Sequence, residues 1–179
     1  MVPTADRLTR KQRTLVRELE EISELLGLDW GNIKSYEKAS RTPHLERMKD
    51  HLIRGEVITQ YTLIDEHLGG LICRYFFPRR SFVKLWRTKK FRNFNYYVIE
   101  PLSLMEKLRL VKAIKNVPRG VASAIERVNG LRNGLAHAFF PENLRGSKPI
   151  YKGKDVFTLE GLKLFMEDME FVHEFFLVN

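Results

Sequence analysis

Three polar residues lie close together in an otherwise apolar, helix-like stretch near residue 135: Arg132, Asn133 and His137. A guanidinium stays charged at all ordinary pH values and can donate two hydrogen bonds to phosphate oxygens, while an imidazole gains or loses a proton near neutral pH. Together the three groups could hold a phosphate and transfer a proton beside it. Their types and spacing therefore predict a site for phosphate chemistry.

Helix geometry determines how far these residues can act together. At about 100° per residue, Asn133 and His137 lie one turn apart on one face, while Arg132 and His137 differ by about 140°, a gap that a long Arg side chain bridges in part. Gly134 removes a side chain where a phosphate or a partner helix could approach. Taken singly, each residue also has a simpler interpretation. Asn133 could be a surface amide, His137 a surface histidine or one hydrogen-bonded in the core, and Arg132 could pair with a carboxylate.

The spacing of Arg132, four intervening residues and His137 resembles the Arg-x(4–6)-His motif of the HEPN superfamily (higher eukaryotes and prokaryotes nucleotide-binding domain). Asn133 fills the polar position that often follows the Arg in that family. The motif also falls late in a long helix of an all-α chain, with an amphipathic helix after it, as in HEPN domains. The resemblance in fold covers most of the chain, whereas the match in sequence covers little beyond residues 128 to 140.

The resemblance implies a metal-independent endoribonuclease of a toxin–antitoxin or phage-defence system, acting as a homodimer without cofactors. Arg132 and His137 of two protomers would form one composite site, with His137 in general acid–base catalysis, Arg132 stabilising charge on the phosphate and Asn133 orienting one of them or the phosphate. An RNA 2′-hydroxyl would attack the adjacent phosphodiester, leaving a 2′,3′-cyclic phosphate and a 5′-hydroxyl.

Two further expectations follow from the comparison with that family. Phe139 occupies the position two residues after the His, where HEPN toxins paired with nucleotidyltransferase antitoxins commonly have a Tyr, so we expect any antitoxin protein to act by binding. The alternative function is a non-catalytic HEPN-like module that binds RNA, nucleotide or protein.

The five histidines form no ligand pair with Cys73 and no His-Glu-x-x-His spacing, so no metal site is predicted.

The net charge of +9 is concentrated in residues 67–99, which contain eight basic residues and no acidic ones. Aromatic residues interleave with this charge, namely Phe82, Trp86, Phe91 and Phe94. That combination suits single-stranded or irregular RNA, whose phosphates bind cations and whose bases stack on rings. The predicted RNA-binding residues are Arg79, Arg80, Lys84, Arg87, Lys89, Lys90 and Arg92. The alternatives are aromatic residues in the core, a solvated basic face, or an acidic protein partner.

Asp65 is a predicted supporting residue because it lies between the apolar residues Ile64 and Leu68 of a long helix. A carboxylate that faces a helical core needs a partner, and Arg132 is the expected one. The alternative is that Asp65 is solvated, as we expect for Glu66.

The elements that must position these residues are helices. The fold class is predicted to be all-α, a HEPN-like bundle of about five helices with two long antiparallel ones, forming a single domain over residues 1–179. The sequence has a single cysteine and no segment that resembles a signal peptide or a membrane span. It therefore predicts a cytoplasmic protein without membrane contact. The predicted elements are a helix over 6–26, a helix from the Thr42 cap and Pro43 towards Phe77, one or two short helices before Pro101, a helix over 104–115 with a Ser103–Glu106 capping box, a helix from Pro118 to about Phe140, a hairpin around Tyr151–Asp155, and a final helix capped by Thr158.

Overall fold

The computed structural model describes the chain at residues 10, 38–78, 84, 86–137 and 149–178, and the side chains of all of these except residues 38–44, 136 and 137. The chain divides into two compact units, Met1–Leu52 and Ile53–Asn179. Apart from residue 10, the helix predicted over residues 6–26 lies outside the described residues. A single domain over the whole chain stays a prediction.

The described residues are mostly helical, which confirms the all-α fold class. The only sheet among them is a two-stranded hairpin. No helix in the described ranges is long and apolar enough to cross a membrane. The elements are α1 (Lys38–Phe76), α2 (Lys89–Phe94), a π-helix (Asn95–Ile99), α3 (Leu104–Ile114), α4 (Arg119–His137), β1 (Ile150–Tyr151), β2 (Lys154–Asp155) and α5 (Leu159–Leu177).

Two predicted helix starts are confirmed by their caps. At α3 the Ser103 hydroxyl accepts from the Glu106 N–H at 3.4 Å, and the Glu106 carboxylate accepts from the Ser103 N–H at 2.8 Å. The Ser103 hydroxyl also donates to the Glu106 carboxylate at 2.7 Å, and this bond, together with that from the Ser103 N–H, favours the charged form and holds the pKa of Glu106 below its usual value. At α5 the Thr158 hydroxyl accepts from the Gly161 N–H at 3.2 Å. Both caps satisfy backbone donors that a helix start leaves exposed.

The start predicted for α1 is wrong. The helix begins at Lys38, so Thr42 and Pro43 lie within it. It also continues through Gly55 and the Gly69–Gly70 pair to Phe76 without a break. At Gly69 the helix packs closely against the π-helix, since a Cβ there would lie only 3.1 Å from Cγ2 of Ile99. This close packing accounts for a glycine within an unbroken helix. Tertiary contact therefore outweighs the low helix propensity of glycine.

The core of the second unit is built from α1, α3, α4 and α5. The apolar stripe of α4 is buried throughout and consists of Val121, Ile125, Val128, Leu131 and Leu135. Most of the apolar stripe of α5 is buried as well, but Leu159 is 70% exposed because it is the first residue of the helix and lies outside the core. The fully buried side chains on the remaining core faces include Val57, Ile64, Leu68, Leu104, Leu108 and Val111.

Asp168 joins three elements of this unit through one buried carboxylate. Its Oδ2 accepts from the Tyr151 hydroxyl at 2.7 Å and from Arg127 Nη2 at 2.6 Å, and its Oδ1 accepts from Lys152 Nζ at 2.6 Å. Burial raises the pKa of Asp168, but the hydrogen bonds from Lys152, Tyr151 and Arg127 outweigh it and hold the pKa below its usual value. The hairpin between α4 and α5 is thus tied to both helices. Its turn uses positive φ angles at Lys152 and Gly153.

Replacing Asp168 by Asn should destabilise the protein by about 2 kcal/mol at pH 7, because the buried hydroxyl of Tyr151 and the half-buried guanidinium of Arg127 lose their anionic acceptor. For a chain of this size that loss lowers Tm by about 4–8 °C. A depressed folded-state pKa contributes stability above the unfolded value of about 3.9 and loses it as pH falls through the folded value. The Tm difference between Asp168→Asn and wild type should therefore shrink below about pH 4 in thermal melts followed by circular dichroism.

The matched control is Glu160→Gln, which removes an exposed carboxylate that pairs with Lys154 at 2.7 Å. Exposed ion pairs contribute little, so its Tm should stay within about 1 °C of wild type. Equal Tm losses in the two variants would contradict a central role for Asp168.

Candidate functional site

Arg132 and Asn133 lie near the end of α4, where they contact each other and α1. The Arg132 guanidinium carbon lies 5.1 Å from the centre of the Tyr61 ring, and its Nη1 donates to the Asn133 side-chain oxygen at 3.2 Å. Arg132 is half-buried, while Asn133 is exposed. A guanidinium over an aromatic face is attracted by the ring electrons, which positions the arginine without a carboxylate.

The same turn of α4 is attached to α1 by a second arginine. Arg54 Nη1 donates to the Leu135 carbonyl at 3.2 Å, and its guanidinium carbon lies 5.1 Å from the centre of the Phe157 ring. Carbonyls in the last turn of a helix lack an intrahelical partner, so a cationic donor is favourable there. α1 therefore fixes the end of α4 at two neighbouring positions.

His137 is the last residue of α4, one turn after Asn133. Its side chain lies outside the described part of the chain, as does all of Phe139. Of the three polar residues predicted to act together, Arg132 and Asn133 are therefore in contact, and the part played by His137 stays a prediction.

Asp65 does not pair with Arg132 as the sequence suggested. Its Oδ2 accepts from Lys107 Nζ of α3 at 2.6 Å. The Lys107 side chain is only 6% exposed, and an ammonium so deeply buried requires a nearby carboxylate, which explains the choice of partner. Lys107 falls in the buried stripe of α3 beside Leu104, Leu108 and Val111. A lysine at an apolar position was the sequence signal that could have identified it.

The basic segment presents its charges to solvent. Lys84, Arg87, Lys89, Lys90 and Arg92 are all exposed. Arg79 and Arg80, also predicted to bind RNA, lie outside the described residues. The part of the segment that the structure describes can thus present at least five cations to a polyanion.

The aromatic residues of this segment divide between core and surface. Phe91 is fully buried and its ring lies 5.4 Å from that of Phe77, so the core interpretation is confirmed for it. Phe94 is half-buried, and Phe82 lies outside the described residues. Trp86 is 49% exposed and contacts Phe91 edge-on at 5.3 Å between ring centres. Of the predicted stacking residues that are described, Trp86 alone presents much of its surface to solvent.

Sequence reasoning missed the most exposed rings of the described residues. Tyr96 and Tyr97 of the π-helix are 61% and 70% exposed, with ring centres 4.9 Å apart. Neighbouring exposed aromatic residues form the kind of surface patch that often marks a binding site. The signal was present in the sequence, because both tyrosines lie in the stretch without acidic residues. We call residues 86–98 the basic–aromatic segment.

A pair of histidines lies between α1 and α5. His173 Nε2 is hydrogen-bonded to the Gln60 side-chain oxygen at 2.6 Å, and the Gln60 amide donates to Glu56 at 2.7 Å. His67 stacks on Phe176 with ring centres 4.9 Å apart. Burial, reinforced by His67, lowers the pKa of His173 below its usual value, so it is neutral at physiological pH. Within the described ranges, no three His, Cys, Asp or Glu side chains are arranged to hold a metal ion.

Cys73 is buried, and burial raises the pKa of its thiol to about 11. The thiolate is the reactive form, so at pH 8 Cys73 should react with Ellman's reagent at least about 100-fold more slowly in the folded protein than in guanidinium-unfolded protein. Absorbance at 412 nm measures both rates. Equal rates would show that the thiol is accessible and ionised, and would make Cys73 a candidate nucleophile.

No family model, no curated protein and no solved structure matches this chain.

Proposed function

We propose that this protein is a metal-independent endoribonuclease of a toxin–antitoxin or phage-defence type, in which Arg132, Asn133 and His137 of two protomers act on one phosphodiester. The observation that carries the proposal is the contact of Arg132 with Asn133 near the end of α4, one turn before His137. The resemblance of this motif to that of HEPN ribonucleases supplies the reaction.

In the proposed reaction each residue has a distinct task. His137 accepts the proton of the RNA 2′-hydroxyl or donates one to the leaving 5′-oxygen, since imidazole titrates near neutral pH. The Arg132 guanidinium stabilises the negative charge that builds on the phosphate oxygens. Asn133, already bonded to Arg132, orients the guanidinium. The nucleophile belongs to the substrate, which gives the cyclic phosphate and 5′-hydroxyl ends.

The proposed homodimer would bring a second α4 to the end of the first. Gly130 and Gly134 favour this arrangement, because a Cβ at either would meet no atom of the described residues within 4 Å. Both glycines flank Arg132 and Asn133 in the sequence. Small residues four apart on an open helix face allow another backbone to approach closely. Arg132 and His137 point in different directions within one helix. In a dimer, Arg132 of one protomer and His137 of the other could still reach the same phosphate.

RNA is the substrate that the basic–aromatic segment favours. Its exposed cations suit phosphates, and its exposed rings at Trp86, Tyr96 and Tyr97 suit stacking by unpaired bases. A duplex offers few free base faces, so the proposed substrate is single-stranded RNA or a loop. An antitoxin protein, if one exists, would act by covering this segment or the end of α4.

One observation favours the second candidate, a non-catalytic HEPN-like module that binds RNA. The Arg132 guanidinium is already engaged by the Tyr61 ring and the Asn133 amide. In this second candidate the guanidinium attaches α4 to α1 and contacts no scissile phosphate. The two candidates differ in whether RNA is cut.

Replacing His137 by Ala should reduce RNA cleavage at least about 100-fold, because the proton-transfer group is lost. The assay uses purified protein, a 5′-labelled RNA and EDTA, with gel analysis and treatment of the fragments by a phosphatase that acts only after the cyclic end is opened. Wild type should leave cyclic phosphate ends. Arg132→Lys should also cut more slowly, since lysine lacks the planar fork of donors.

The matched control is His51→Ala, which removes an exposed histidine whose Nδ1 is hydrogen-bonded to the Arg47 carbonyl of its own helix. It should cut RNA at the wild-type rate. Cleavage by His137→Ala at that same rate would refute the catalytic proposal. RNA binding without any cleavage by wild type would select the non-catalytic module.

The double variant Tyr96→Ala, Tyr97→Ala should bind a single-stranded RNA at least about 30-fold more weakly, since stacking on each of the two rings contributes about 1–3 kcal/mol. Fluorescence anisotropy at several salt concentrations measures this. The slope of log affinity against log salt should be unchanged, because no charge is removed.

The control for the rings is Tyr96→Phe, Tyr97→Phe, which keeps both aromatic faces and should bind RNA like wild type. If the alanine and phenylalanine pairs lose affinity equally, the hydroxyl groups rather than stacking account for binding. If neither loses affinity, the rings do not contact RNA.

A further inference from the structure

A cavity of about 350 Å³ lies between α1, the basic–aromatic segment and α3. Its volume is near the lower end of the range for small-molecule sites, about 300–1,000 Å³. Its walls combine aromatic rings with polar groups, including Trp86, Phe91, Glu66, Asp65 and Lys107. Such a combination of rings and a few convergent polar groups is typical of a site for a planar polar ligand.

The Asp65–Lys107 ion pair gives this cavity an unusual polar edge. Lys107 Nζ has three N–H donors, and among the described residues only Asp65 accepts from it. Asp65 uses Oδ2 for that bond, and its Oδ1 has no partner in the described part of the chain. The pair therefore presents unused donors beside unused acceptor positions. A side chain as buried as that of Lys107 normally fills its donors, so a ligand that fills them gains free energy.

This edge is complementary to one nucleobase. The Watson–Crick edge of guanine offers an acceptor, O6, followed by two donors, N1–H and N2–H. Lys107 can donate to O6, and the Asp65 carboxylate can accept from both donors, as carboxylates accept in pairs. Uracil offers O4 to Lys107 and N3–H to Asp65 but turns its O2 acceptor towards the carboxylate, and adenine offers one acceptor and one donor, so each makes one hydrogen bond fewer with the pair than guanine does.

The walls and the mouth of the cavity fit a base attached to a strand. Trp86, which is 49% exposed, supplies apolar ring surface for a planar base, and the buried Phe91 supports it edge-on. Arg87 and Arg92 are exposed and adjoin those two residues in sequence, so they can meet the flanking phosphates. We propose that this cavity binds one unstacked guanine of a single-stranded RNA, read by Asp65 and Lys107. This deepens the proposed function and rests on its RNA-binding part, but not on cleavage.

The proposal is tested with four labelled RNA heptamers that differ at the central position. They carry guanosine, inosine, adenosine or uridine within a run of uridines, and binding to the full-length chain is followed by fluorescence anisotropy in EDTA. Wild type should bind the guanosine RNA about tenfold more tightly than the adenosine and uridine RNAs, the selectivity typical of one paired contact to a base edge. Inosine lacks only the N2 amine, so it should bind with intermediate affinity.

Asp65→Asn keeps the shape of the side chain but replaces one acceptor by a donor, so the preference for guanosine should disappear. Its Tm is measured first, because Lys107 loses a buried partner. If this variant does not fold, the comparison of guanosine with inosine RNA on wild type still tests whether the cavity recognises the N2 amine of guanine. Glu167→Gln, an exposed residue of α5 that does not line the cavity, is the control and should keep the full preference.

The outcomes separate this proposal from the previous one. Equal binding of all four RNAs by wild type would overturn the guanine site while leaving an RNA-binding surface intact. Equal binding of guanosine and inosine RNAs would overturn the role of Asp65 as acceptor from N2. Failure to bind any RNA would overturn both the guanine site and the RNA-binding part of the proposed function.

Discussion

The carboxylate of Asp168 is the interaction on which the second unit depends. Helices α4 and α5 pack through apolar side chains, and apolar packing alone sets no unique register. The Asp168 carboxylate does set one, because four donor atoms on three residues converge on it. Buried polar groups must be satisfied nearly completely, so the bundle has one arrangement in which Arg127, Tyr151 and Lys152 all reach Asp168. That arrangement determines where α4 ends, and therefore where Arg132 lies relative to α1.

A second buried charge constrains the other end of the unit. Lys107 of α3 is compensated by Asp65 of α1, which positions α3 against α1 in the same way that Asp168 positions α5 against α4. A buried ion pair adds little to stability compared with apolar side chains of equal size, since desolvation offsets much of its attraction. A further task would account for the presence of such a pair in an amphipathic helix, and the guanine site proposed for the adjoining cavity would supply one.

The sequence was sufficient for features that depend on local chemistry. The Ser103 and Thr158 caps, the hairpin at Lys152–Gly153 and the buried stripe of α4 all follow from short-range patterns. Pairings across the fold were not predictable, because any inward carboxylate has several possible partners. Asp65 was therefore assigned to Arg132 instead of Lys107, and the central position of Asp168 was missed. Exposure of neighbouring aromatic residues was equally hard to foresee, since Phe91 and Tyr96 differ little in sequence context but lie in the core and at the surface.

The contact of Arg132 with Tyr61 bears on how a catalytic arginine would be held before substrate arrives. A cation–π contact at a partly exposed site contributes about 0.5–1 kcal/mol, and the single bond to Asn133 joins a charged donor to a neutral amide at an exposed position. A phosphate would offer two hydrogen bonds in which both donor and acceptor are charged. In the proposed reaction the guanidinium would therefore move from the ring and the amide to the phosphate at modest cost, whereas a carboxylate partner would compete with the phosphate for the guanidinium. Because Asp65 pairs with Lys107, the partners of Arg132 within the described part of the chain are neutral groups, as the proposed anion binding favours.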